Sequence, residues 1–137
     1  MQASDCANAA RQGLRDARRH LETSEAVNWV AQELGSALLW AMSAWLLANG
    51  HEAAPGGSWA GTRLAFENEG PPGLRAQVLS CHAKVRCLDV DLLGGLDDTL
   101  PEMPLDQWKM EAFTCLERTE EAVHALLATI AEPDETG

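Results

Sequence analysis

Between Ser24 and Gly50 the chain carries apolar residues on two opposite sides of one helical period, and few folds accommodate that. Val27, Val30, Ala31, Leu34, Leu38, Ala41, Met42 and Trp45 recur at three- and four-residue steps and form one stripe. Trp29, Trp40 and Leu47 lie on the other side, within about 20° of one another at about 100° per residue. Thr23-Ser24 reads as the start of this helix and Asn49-Gly50 as its stop. A helix apolar on two sides must be covered on both. It is the centre of a bundle, or its tryptophan side meets a second subunit or a flat ligand.

The rest of the chain supplies helices to surround it. The first is expected from an N-cap at Ser4 to Leu21, with Cys6, Ala10, Leu14, Ala17 and Leu21 at helical spacing. These residues are small, so the helix can approach a neighbour closely. A loop is expected over 53–58, then a short helix from a Ser58 cap to Asn68, then a break at Gly70-Pro71-Pro72-Gly73. The next helix runs from Pro72 to Leu93, where Gly94-Gly95 should end it. Its residues Leu74, Val78, Cys81, Val85, Leu88 and Leu92 step by four and three, a narrow bundle seam. After an acidic loop over 96–104, the last helix runs from Leu105 to Ala131, and 132–137 should be a frayed tail. No stretch alternates at period two. The expected fold is all-α: a four- to five-helix up-down bundle forming one domain over 1–137.

Charge narrows the function. The formal net charge is -11, which repels nucleic acid and anionic membrane at long range. Nucleic acid and membrane are therefore not expected as partners. Residues 1–24 are near neutral, with four Arg against Asp5, Asp16 and Glu22, so the excess sits in the remainder. The most apolar run, Ala37 to Ala48, falls short of the roughly 20 residues a bilayer span needs. The opening residues carry no basic and apolar leader. Cys6, Cys81, Cys87 and Cys115 follow no disulfide framework, so a cytoplasmic protein with free thiols is expected.

Four constellations are candidates for chemistry. Arg11, Arg15, Arg18 and Arg19 fall within an arc of about 100° on the first helix. They could grip phosphate or carboxylate, or form a solvated face paired with the acidic remainder. His82, Arg86 and Asp89 lie within about 60° of one another. They could poise a proton-transfer group, or form a polar flank with an Arg86–Asp89 ion pair. Trp29, Trp40 and Leu47 could wall a flat ligand, anchor a dimer, or be ordinary core. Cys81 and Cys87 are about 120° apart on their helix and cannot share one ion, so no metal site and no cofactor is expected. His51 beside Glu52 and the isolated His124 add no ligand set. Phosphate-binding glycine loops, nucleophile elbows and His-Glu-x-x-His zinc motifs do not occur.

From about Asp5 to Ile130 the layout resembles the HEPN superfamily of helical bundles. The resemblance lies in the Arg-rich first helix over Arg11 to His20 and the long small-residue and aromatic helix ending in Leu46-Leu47-Ala48-Asn49-Gly50. It continues in the segment Trp59 to Phe66, in Arg86-Cys87-Leu88-Asp89, and in an Ala- and Leu-rich last helix. Members of that superfamily act as ribonucleases, as toxins paired with nucleotidyltransferases, or as non-catalytic substrate-binding subunits. Ribonuclease members carry an Arg followed, after four to six residues, by a His on a late helix. The match read here is Arg15 to His20, on the first helix, and the late helices are expected to lack the motif. The resemblance thus implies a non-catalytic binding or interaction module, homodimeric, with a nucleotidyltransferase or toxin–antitoxin-like partner. The alternatives are a diverged ribonuclease using Arg86 and His82, and a small-molecule binder with its ligand between helices.

Overall fold

In the computed structural model, residues 2–23, 29–51, 59–96 and 105–130 are described, with backbone alone over 89–96 and at 105. Five helices follow in order: α1 Ala3–Thr23, α2 Val30–Ala48, α3 Trp59–Glu69, α4 Pro72–Leu96 and α5 Leu105–Ala128. There is no strand among the described residues, and the fold is an all-α bundle. No described helix is long and apolar enough to cross a membrane. The expected tail over 132–137, the loops over 53–58 and 97–104, and the start of the second helix at Ser24 lie outside the described residues.

α2 is the centre. It packs against α1, α3, α4 and α5. Its buried residues include Val30, Leu34, Leu38, Leu39, Met42, Ala44 and Leu46, which at about 100° per residue span about 220° of the helix circumference. The expected stripe is there, and a second covered side is there with it. α1 lies closest. Its buried residues are Cys6, Ala7, Ala10, Leu14, Ala17 and Leu21, and the interposed Gly13 lets the two backbones come together. A Cβ on Gly13 would stand 3.3 Å from both the Ala37 Cβ and the Glu33 carbonyl oxygen. Small residues in the sequence thus become a short interhelical distance. α4 and α5 close the bundle with Val78, Val85, Leu88, Trp108, Ala112, Leu116, Val123 and Leu126. The Trp108 indole is buried, and its Nε1–H donates to the Leu88 carbonyl at 3.1 Å, tying α5 to α4.

The helix ends show which signals the chain uses. α1 is capped at Gln2 rather than Ser4. The Gln2 carbonyl accepts from Asp5 N and Cys6 N, and the Asp5 carboxylate accepts from Gln2 N at 2.9 Å. That is the reach-back half of a capping box, and a carboxylate at the positive end of the helix dipole favours it over the Ser hydroxyl. α1 also runs two residues past Leu21, to Thr23, whose hydroxyl donates to the Arg19 carbonyl. α2 stops where Asn49-Gly50 predicted. Gly50 has φ +81°, His51 N donates to the Leu46 carbonyl at 2.8 Å, and Gly50 N donates to the Leu47 carbonyl at 3.2 Å. These two bonds make a Schellman closure. α4 opens with Pro72 in the first turn, where its missing N–H costs nothing. Gly94-Gly95 does not end α4, which continues through both to Leu96. A helical glycine costs only about 1 kcal/mol against alanine, so two of them weaken a 25-residue helix without forcing it to stop. α5 ends at Ala128 rather than Ala131, because the Thr129 hydroxyl takes the Leu126 carbonyl at 2.7 Å and tightens the last turn.

Candidate functional site

The most chemically mixed surface is a groove of about 780 Å³ between α2 and α4, with Trp59 of α3 at its side. Gln32 and Ser36 of α2 line one wall, and His82 and Arg86 of α4 line the other. Leu39 and Val85 provide apolar floor. His82 and Arg86 are one helical turn apart, so the sequence spacing does bring them to one place. The Asp89 side chain lies outside the described residues, so the third member of that constellation is not placed.

His82 is 8% exposed, and its Nδ1 has no hydrogen-bond partner. Its pKa is lowered, first by burial and then by the charges of Arg63 and Arg86. The imidazole is therefore held neutral at pH 7. Arg63 reaches toward it from α3 while pairing through Nη2 with Glu67 at 3.3 Å, and its Nε is buried without a partner. No Asp or Glu side chain lines the groove among the described residues. In a chain with 21 acidic and 10 basic residues, Arg86 is thus the charged side chain of this lining among the described residues. The elements present are a neutral imidazole and nearby cations. Ser36 and Cys87 also line the groove, but no hydrogen bond from either to His82, and no carboxylate orienting the ring, is seen among the described residues.

The tryptophan side of α2 divides. Trp40 is half-buried and meets the Trp59 ring edge-on, with centroids 4.9 Å apart at 84°. Leu47 is half-buried and packs on the core. Trp29 caps the N-terminal end of α2 and is 51% exposed. α3 therefore supplies part of the cover that the sequence left open, and Trp29 remains on the surface. Nothing in the Trp29, Trp40 and Leu47 spacing could reveal this, because the covering ring comes from a helix about twenty residues on.

The arginine face of α1 is largely engaged within the chain. Arg18 donates to Glu120 of α5 through Nε at 3.2 Å and Nη2 at 2.6 Å, and lies 3.7 Å from Glu22. That bidentate bond raises the Arg18 pKa further. Arg19 pairs with Asp16 at 3.4 Å, Arg15 donates to Gln12 at 2.9 Å, and Arg11 donates to Asn8 at 3.3 Å. Arg18 is a link between helices, and the others form a solvated network.

Two features escape the spacing argument. His20 Nδ1 lies 2.7 Å from Glu33 Oε1, and both side chains are largely buried between α1 and α2. Only their packing partners identify them. The second was legible: the late helices do carry the Arg-then-His spacing expected to be missing. Arg75 and His82 are separated by six residues on α4, and Arg118 and His124 by five on α5. The structure does not pair either couple. Arg75 donates through Nε to the Gly70 carbonyl at 3.0 Å and also through Nη2, closing the turn between α3 and α4. Arg118 and His124 are both exposed, about 120° apart around α5.

A second groove of about 460 Å³ lies between α4 and α5, with Lys84, Cys87, Met110, Glu111, Cys115 and Arg118 on its walls. All four cysteines are free thiols. Cys6, Cys81 and Cys115 have raised pKa values, in each case mainly through burial, whereas Cys87 is exposed. Three or more His, Cys, Asp or Glu side chains do not converge anywhere among the described residues as a metal site would need. No family model, curated protein or solved structure matches the chain.

Proposed function

We propose that the chain is a non-catalytic, HEPN-like binding module that works through the α2–α4 groove as a homodimer or beside a protein partner such as a nucleotidyltransferase. The observation that carries the binding role is the groove itself. Its volume falls within the range of small-molecule sites, and its wall combines Trp59, a neutral His82 and Arg86 over apolar floor. Ser36 and Cys87 line the groove beside His82, but no hydrogen bond joins either to the imidazole among the described residues, which is why binding is preferred to catalysis. Trp29, half exposed at the end of α2, is the natural anchor for a second chain.

The binding role is tested by intrinsic fluorescence, since Trp59 and Trp40 stand at the groove. Purified protein titrated with a panel of nucleotides, organic acids, amines and neutral metabolites should respond to some of them, and a Trp59→Leu variant should lose that response. A flat response across the panel would remove the reading. The dimer is tested separately by sedimentation, where a strict monomer at high concentration would exclude self-pairing and leave only a different partner.

A ribonuclease reading is the second, favoured by the Arg118-to-His124 spacing on the last helix and by His82 and Arg86 in one groove. The net charge of -11 and the separation of Arg118 from His124 around α5 weigh against it. RNA cleavage abolished by Arg118→Ala or by Arg86→Ala would replace the binding module with an enzyme.

A further inference from the structure

We infer that the α2–α4 groove selects a planar organic anion: a flat ring laid against Trp59 with a carboxylate or phosphate at Arg86. The inference rests on the binding role proposed above and names the ligand class.

Three observations converge. The first is charge. Arg86 lies on the wall, Arg63 is close enough to shift the His82 pKa, and the lining has no carboxylate among the described residues. Three other cations are answered by carboxylates: Arg18 by Glu120 and Glu22, Arg19 by Asp16, and Arg63 in part by Glu67. Arg86 has no such pairing among the described ion pairs and hydrogen bonds, so an incoming anion meets a guanidinium ready for a bidentate contact. A cationic ligand would meet only repulsion here.

The second is the unpartnered imidazole. His82 is more than nine-tenths buried along the groove wall, and its Nδ1 makes no hydrogen bond. The ring also lines the groove, where a ligand hydroxyl or ring nitrogen can meet a neutral imidazole as donor or as acceptor. The third is shape. Trp59 is 39% exposed, held edge-on by Trp40 so that its own ring is fixed, and Gly35 keeps the floor low opposite Val85. A Cβ at Gly35 would come within 3.6 Å of the Val85 Cγ1. A fixed indole above a shallow apolar floor suits a flat ring stacked on it.

The experiment is calorimetric titration with matched pairs that differ only in charge: benzoate against benzamide, and adenosine monophosphate against adenosine, with inorganic phosphate alone as the ring-free anion. At least one anionic ring compound should bind tenfold or more tightly than its neutral counterpart. Arg86→Gln should erase that preference, and Trp59→Leu should weaken both members of the pair alike. Circular dichroism of each variant confirms that it folds. Equal affinity within each pair, or an unchanged preference in Arg86→Gln, overturns the anion half. Inorganic phosphate binding as well as adenosine monophosphate overturns the ring half. No binding by any of the four ring compounds overturns the inference, and the wider fluorescence panel then separates the cases. A response there to amines or non-aromatic neutrals leaves the binding role standing, and silence there removes both.

Discussion

Gly13 and Gly73 are both helical, both replaceable by alanine without backbone strain, and the structure assigns them opposite outcomes. Alanine in place of a helical glycine gains about 0.5–1 kcal/mol by removing freedom from the unfolded chain. At Gly73, in the first turn of α4, an added Cβ has nothing within 4 Å, so that gain is realised in full. At Gly13 the same Cβ stands 3.3 Å from the Ala37 Cβ and 3.3 Å from the Glu33 carbonyl. Neither neighbour can rotate away, because one is the first atom of a side chain and the other is backbone. α1 and α2 must separate by a few tenths of an ångström, and overpacking of this kind costs about 1–3 kcal/mol. Gly73→Ala should therefore stabilise by about 0.5 kcal/mol or more, Gly13→Ala should destabilise by up to about 2 kcal/mol, and Gly13→Val should cost about 3 kcal/mol. Urea unfolding midpoints at constant slope measure all three. If Gly13→Ala stabilises as much as Gly73→Ala, or Gly13→Val is tolerated, the two helices are not packed as described.

Other outcomes follow from the same geometry. His82 is held neutral by burial and by Arg63 of α3 and Arg86 of α4. A histidine with a lowered folded pKa keeps its full contribution above the free imidazole value of about 6.5, and loses it as pH falls through the folded value. Wild type should thus lose stability relative to His82→Gln when acidified from pH 7.5 to 5.5, and a gain on acidification would contradict the assignment. Trp108→Phe removes the donor to the Leu88 carbonyl and part of a buried ring, and should lower stability by about 2–4 kcal/mol in denaturant titration. Arg18 and Glu120 should couple by about 1 kcal/mol in a double-mutant cycle, and no coupling would reduce the pair to an incidental contact. With an aromatic disulfide reagent the native protein should show one fast-reacting thiol that Cys87→Ser removes, the half-buried Cys81 and Cys115 and the buried Cys6 following more slowly.

The sequence makes the bundle legible because helical periodicity acts over a few residues. Leu14, Leu34, Val85 and Leu126 lie on stripes that any helix of that register must bury. The α2 terminus was equally plain, since Gly50 is a residue that can take φ +81° without cost. Ends decided by competition among weak signals were not: Asp5 outweighs Ser4 at the start of α1, and Gly94-Gly95 reads as a stop that α4 passes through. Of the candidate site, the pairing of His82 with Arg86 was visible because both ride one helix. Their surroundings were not. Arg63, Trp59 and Ser36 come from helices whose rotation about α4 is set by packing, and spacing along one helix carries no information about it. The same limit hid the His20–Glu33 contact and the capture of Arg18 by a glutamate 102 positions away.

α2 is packed against by all four other helices, and that has a consequence in time. Amides in the middle of α2, covered by several helices, should exchange mainly through openings close to global unfolding. α3, whose main contacts are with α2 and α4, can detach at far lower cost. Trp59 leaves with it. The Trp59 side of the groove is thus borne on the element that opens most readily, while its α2 wall belongs to the element that opens last. A ligand seated between them would slow exchange in α3 and leave the rate in α2 tied to global stability, so a hydrogen-exchange profile reads occupancy of the groove from the helix that moves.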